Sequence, residues 1–125
     1  MMNVSVNILL IEDNPADARL VREELKFTPS ATDFQLEWVD CLEAGLERLT
    51  RTHVHAVLLD LSLPDSEGMH TLKAVLGHAP QLPVIVMTGH ADEELGTQAV
   101  QAGAQDYLIK GRVDGRLLTR AIQYA

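Results

Sequence analysis

Five positions in this 125-residue chain carry a reactive side chain just where a short apolar run stops. "NILLIED" runs into Glu12 and Asp13, "HAVLLD" into Asp60, "VIVMTGH" into Thr88, and "QDYLIKG" into Lys110. Gathered in one place, three carboxylates repel one another unless a cation lies between them. Hard oxygen ligands of that kind select Mg²⁺ or Mn²⁺. Singly, each residue has an ordinary reading: Asp13 complements a helix N-terminus, Thr88 before Gly89 is turn chemistry, and Lys110 is a solvated lysine. The chemistry depends on whether the fold brings all five to one rim.

The surrounding elements do so. Val6–Ile11, His55–Leu59, Leu82–Met87 and Asp106–Ile109 read as short buried strands, and Phe34–Val39 alternates at period two like a half-covered edge strand. Helical patterns lie between them. Asn14-Pro15 is an N-cap followed by proline at the first helical position, opening a helix expected to bury Leu20, Val21 and Leu25. "DCLE" reads as a capping box of Asp40 with Glu43, followed by Leu42, Leu46 and Leu49. Gly68–Leu76, stopping near Gly77, Ala91–Ala102 with Gly103 as C-terminal cap, and Asp114–Tyr124 supply the rest. Five β-α units with short links imply an α/β fold: a doubly wound, five-stranded parallel sheet, flavodoxin-like (βα)5, with strand order 2-1-3-4-5. In such a sheet ligands bind beyond the carboxyl ends of the strands. Glu12, Asp13, Asp60, Thr88 and Lys110 all fall there.

Composition narrows the class. One domain spanning 1–125 is long enough to bury a core. It is 46% hydrophobic but only 4% aromatic, so Leu, Val, Ile and Ala must fill that core. A net charge of −8 without a basic stripe argues against direct nucleic-acid binding. The single cysteine, Cys41, excludes an internal disulfide and fits a reducing compartment. The N-terminal apolar run is short, lacks a basic flank and ends in acids, so it reads as neither signal peptide nor membrane span. A soluble, cytoplasmic protein is expected.

In combination, "IEDN", "LLDLSLPDSEG", "VIVMTGH" and "QDYLIKG" resemble the receiver domain of two-component response regulators, over essentially the whole chain. The resemblance implies that Asp60 is the phosphoacceptor, and that Mg²⁺ (or Mn²⁺) is held by Glu12, Asp13, Asp60 and the backbone carbonyl of Ser62. Thr88 and Lys110 would contact the phosphoryl oxygens, with Thr88 and Tyr107 as the switch pair. It further implies a sensor histidine kinase or histidine phosphotransfer protein as donor. A downstream output domain or protein would be reached through the face of helix 4, strand 5 and helix 5. Phosphoryl uptake and loss would be self-catalysed without making the domain a turnover enzyme. The closing string resembles receivers at the front of larger signalling proteins, where the last helix continues or pairs with a second copy.

Two departures from that family pattern carry weight. Ser62 and His90 occupy variable positions two residues past Asp60 and Thr88. Gly111 stands where a proline usually follows the lysine. A cis bond without proline costs about 2.5–4 kcal/mol, so the Lys110–Gly111 bond is expected to be trans, with Gly111 in a conformation other residues avoid. The loop "GRVDG" should then be more mobile, with Asp114 capping the last helix.

Other readings are weaker. A flavin or nucleotide binder would need an anion cradle after the first strand, where "EDNPAD" is acidic. A dehalogenase-like phosphatase would place an acid where Ser62 stands. A phosphorylation-independent pseudo-receiver has no need of the five intact residues. His53 and His55 read as a solvated strand entrance, Cys41 as a small packing residue, Trp38 as surface packing, and His70 and His78 as helix-surface residues.

Overall fold

The computed structural model of the protein describes residues 4–27, 32–89, 93–111 and 114–123. Five strands alternate with five helices: β1 (Val4–Ile11), α1 (Pro15–Phe27), β2 (Thr32–Val39), α2 (Leu42–Arg51), β3 (Ala56–Asp60), α3 (Met69–His78), β4 (Val84–Thr88), α4 (Glu93–Gln101), β5 (Asp106–Ile109) and α5 (Gly115–Gln123). A two-residue antiparallel hairpin, Ser62–Leu63 with Ser66–Glu67, sits between β3 and α3. The five strands pair in parallel in the expected order, β2-β1-β3-β4-β5.

Alternation along the strands splits the core between two faces. Leu9, Ile11, Val57, Leu59, Val84 and Val86 pack with Leu42, Leu72, Val75 and Ala99 from α2, α3 and α4. Ile8, Leu10, Ala56, Leu58, Ile85 and Met87 pack with Ala18, Val21, Leu25, Leu118 and Ile122 from α1 and α5. Both faces of the central strands are covered, which is why those strands read as continuous apolar runs.

Register sets the site. Ile11 pairs with Leu59, so Glu12 and Asp60 leave the sheet side by side. Asp60 pairs with Met87, and Thr88 with Ile109, which carries Thr88 and Lys110 to the same rim.

Several local expectations are corrected. Leu20 is 55% exposed, because the buried stripe of α1 runs through Ala18, Val21 and Leu25 and leaves Leu20 beside it. The third strand is shifted by one residue to end on Asp60 itself, and the fourth begins at Val84 because Pro83 has no N–H to give a ladder. Helix α3 passes through Gly77 to His78. It stops at Ala79, whose backbone leaves the helical region before Pro80.

The Asp40–Glu43 capping box does not form. Cys41 is the N-cap of α2, with no side-chain cap bond of its own. Instead Asp65, from the hairpin turn, accepts the Leu42 and Glu43 backbone N–H groups at 2.8 and 2.9 Å. Those bonds hold the Asp65 carboxyl below its ordinary range.

Three caps are as expected: Asn14 on α1, Asp114 on α5, and Gly103 (φ 125°) after α4. Tyr124, Ala91 and Asp92, predicted helix ends, lie outside the described residues. No helix among the described residues is long and apolar enough to cross a membrane.

Candidate functional site

The rim forms an acidic cleft of about 400 Å³ lined by residues that include Asp13, Asp17, Asp60, Ser62, Thr88 and Lys110. Carboxylate oxygens of Glu12, Asp13 and Asp60 converge within 4.8 Å of one another. Glu12 is fully buried, Asp60 nearly so, and Asp13 is exposed at the mouth. Desolvation, reinforced by the neighbouring Asp60, pushes the Glu12 carboxyl up to about 8. The Lys110 ammonium and the Asn14 N–H pull the other way without overcoming that burial. Such a trio is a set of hard oxygen donors short of positive charge, and it fits a small divalent cation.

Two of the three acids are held by hydrogen bonds. Asp60 Oδ1 accepts the Ser62 backbone N–H at 2.9 Å, and Oδ2 accepts from Lys110 Nζ at 2.8 Å. Glu12 Oε2 accepts the Asn14 N–H at 3.1 Å. The backbone at Glu12 is braced from β2: its N–H donates to the Val39 carbonyl, and its carbonyl accepts the Trp38 indole N–H at 2.6 Å. Trp38 is therefore more than surface packing; it fixes the end of β1.

Lys110 is the hub. Its Nζ lies 2.6 Å from Glu12 Oε1, 2.8 Å from Asp60 Oδ2 and 3.2 Å from Asp17 Oδ2. Burial alone would lower its affinity for the proton. The bonds to Asp60 and Glu12 outweigh that and hold the ammonium above the usual lysine range. No peptide bond among the described residues is cis, and Gly111 has φ 85°, as expected for the lysine–glycine link. Lys110 points at Asp60 all the same.

Thr88 is 2% exposed, and its Oγ1 has no hydrogen-bond partner among the described residues. A buried, unsatisfied hydroxyl is costly unless a ligand completes it. The half-buried Tyr107 packs against the core on the α4 side, its ring resting directly on Gly96.

Six of the seven predicted site residues thus meet at one rim, and Tyr107, paired with Val86, sits two residues short of it on β5. His90, and Arg112 and Val113 of the "GRVDG" loop, on which the expected mobility falls, lie outside the described residues. His53 and His55 sit exposed at the opposite end of their strand, His55 Nδ1 accepting the Asn7 N–H.

Sequence reasoning missed Asp17, Asp65 and Gly96. Asp17 follows an N-cap, where an acid reads as a dipole complement. Asp65 and Gly96 act on partners distant in sequence.

The response regulator receiver domain profile matches residues 8–123. The regulatory protein LuxO of Vibrio cholerae is 37% identical over 101 residues, covering 81% of this chain and 21% of LuxO. The transcriptional regulatory protein FixJ of Bradyrhizobium diazoefficiens is 30% identical over 116 residues, 93% of this chain and 55% of FixJ. This chain therefore spans about a fifth of the one and about half of the other. Among solved structures, a CheY-like response regulator receiver domain protein from Methanospirillum hungatei superposes with a TM-score of 0.78 at 26% identity, over 95% of this chain and 91% of that one.

Proposed function

This chain belongs to the response regulator receiver domain family of two-component systems, and from that premise we propose that it is a phosphoacceptor switch charged on Asp60. The donor is the phosphohistidine of a sensor kinase or of a histidine phosphotransfer protein. One observation carries the reading: a nearly buried aspartate ends a central strand, locked by the Lys110 ammonium at 2.8 Å and the Ser62 N–H at 2.9 Å, beside a second and a third carboxylate.

An Asp60 oxygen attacks phosphorus as the donor's P–N bond breaks. The bonding pair leaves with the imidazole nitrogen, and an aspartyl phosphate remains. Lys110 neutralises charge on the transferring group, and the free Thr88 hydroxyl donates to a phosphoryl oxygen. Glu12, Asp13, Asp60 and the Ser62 carbonyl would hold Mg²⁺ (or Mn²⁺), which offsets the charge of donor and acceptor. The acid donor set and the raised Glu12 carboxyl support that ion.

Once Thr88 turns to the phosphoryl group, the Tyr107 ring gains room to change rotamer. The face of α4, β5 and α5 then differs between the two states. The domain is a stoichiometric switch rather than a turnover enzyme, works in the cytoplasm, and passes its signal to an output domain or protein.

The test is NMR. Mg²⁺ should shift amides around 12–13 and 60–62, and added beryllium fluoride should then shift 88, 107 and the α4–β5–α5 face. Shifts confined to the acidic rim, with 107 unmoved, would overturn the switch.

A further inference from the structure

Three carboxylates meet one ammonium, yet only one of them is free to stay there through a reaction at Asp60. Glu12 and Asp60 belong to the cation and acceptor set. Asp17 does not: it lies outside the convergent trio and reaches Lys110 from α1, at 3.2 Å. Its backbone is unusually well placed. Pro15 opens the helix, and Asn14 Oδ1 accepts the Ala16 and Asp17 N–H groups at 2.8 and 3.3 Å, so the first turn is fixed before the side chain is considered. The Asp17 and Lys110 side chains are 30% and 20% exposed, so their pairing is only partly screened by solvent.

The lysine needs such a hold. Gly111, the next residue, sits at φ 85°, and among the described residues nothing lies within 4 Å of where its Cβ would be. No proline ring fixes the backbone immediately after Lys110. The register bond from the Lys110 N–H to the Thr88 carbonyl fixes only the near side, at 2.8 Å.

We propose that Asp17 is a positioning residue that tethers the Lys110 ammonium over the acceptor carboxylate. The role rests on the phosphoacceptor reading of Asp60. With Asp17 in place, Lys110 keeps one carboxylate partner when Glu12 turns to the cation and Asp60 becomes an acyl phosphate. Without it, the ammonium swings on a glycine-linked loop and meets the incoming group in fewer encounters.

The chain has three lysines, and the other two, Lys26 and Lys73, are exposed. In ¹⁵N-lysine spectra only Lys110 should therefore give a slowly exchanging ammonium signal, assigned by its loss in Lys110→Arg. Asp17→Asn should broaden or abolish that signal. With saturating Mg²⁺ and acetyl phosphate it should also slow phosphoryl uptake about tenfold, the scale of one charge-assisted bond. Far-UV circular dichroism checks that α1 persists, and Asp17→Ser repeats the test should the asparagine variant fold poorly. An ordered ammonium and unchanged uptake in the folded variant would overturn the tether alone. A wild type that takes up no phosphoryl group would overturn the acceptor reading, and the tether's role with it.

Discussion

Glu12→Gln should change how stability depends on pH more than it changes stability itself. The folded Glu12 carboxyl is raised from an ordinary 4.5 to about 8, chiefly by burial and by the adjacent Asp60. Between those values the folded protein retains a proton that the unfolded chain has released. The contribution is thus complete below the unfolded value and is lost as pH rises through the folded one. Linkage sets the slope at about 1.4 kcal/mol lost per pH unit. Glutamine cannot ionise, so the variant should gain on wild type by about 2–3 kcal/mol between about pH 5.5 and about pH 7.5. Urea unfolding in chelator, at three pH values for both proteins, measures it directly, and the titrating groups that do not touch Glu12 cancel in the difference. Mg²⁺ should reverse the order at the upper pH, because it stabilises the carboxylate that only wild type can offer. Parallel pH profiles for the two proteins in chelator would refute the reasoning.

Two further substitutions test contacts that span the chain. Asp65→Ala removes both side-chain bonds to the start of α2 and should cost about 1 kcal/mol in urea unfolding at neutral pH. Because that carboxyl is held below its usual range, its contribution is present above the ordinary aspartate value and is lost as pH falls through the folded one, so the two proteins should converge in acid. Gly96→Ala would place a methyl 2.4 Å from the Tyr107 ring. The ring must move, so its aromatic resonances should shift, while overpacking of about 1–3 kcal/mol is partly offset by about 1 kcal/mol of helix propensity. An unmoved Tyr107 would show that Gly96 is not its seat.

What could be read from the chain follows a physical line. Four of the five strands are short apolar runs that stop on a polar side chain, and in a parallel sheet every such stop falls on one rim. Glu12, Asp13, Asp60, Thr88 and Lys110 could therefore be grouped before any distance was known. Gly111 was legible for a similar reason, since the cost of a cis bond without proline decides the link by itself. Contacts between residues far apart in sequence were not legible. "DCLE" carries a local capping pattern, yet the cap comes from Asp65, because the hairpin turn delivers two carboxylate oxygens to the same N–H groups. Leu20 has the right residue type and the wrong angle by one position on α1. Trp38 reads as a surface aromatic until β1 and β2 pair and bring its indole N–H to the Glu12 carbonyl. Asp17 hides within a first helical turn, where acids are ordinary, and only the arrival of β5 shows what it holds.

The central claim is that Asp60 accepts a phosphoryl group, and intact-mass spectrometry tests it most directly. Wild type and Asp60→Asn are incubated with acetyl phosphate, with Mg²⁺ and with chelator. The account predicts one added phosphoryl mass on wild type with Mg²⁺, little in chelator, and none on Asp60→Asn under either condition. A phosphoryl group on Asp60→Asn, or none on wild type with Mg²⁺, would contradict it.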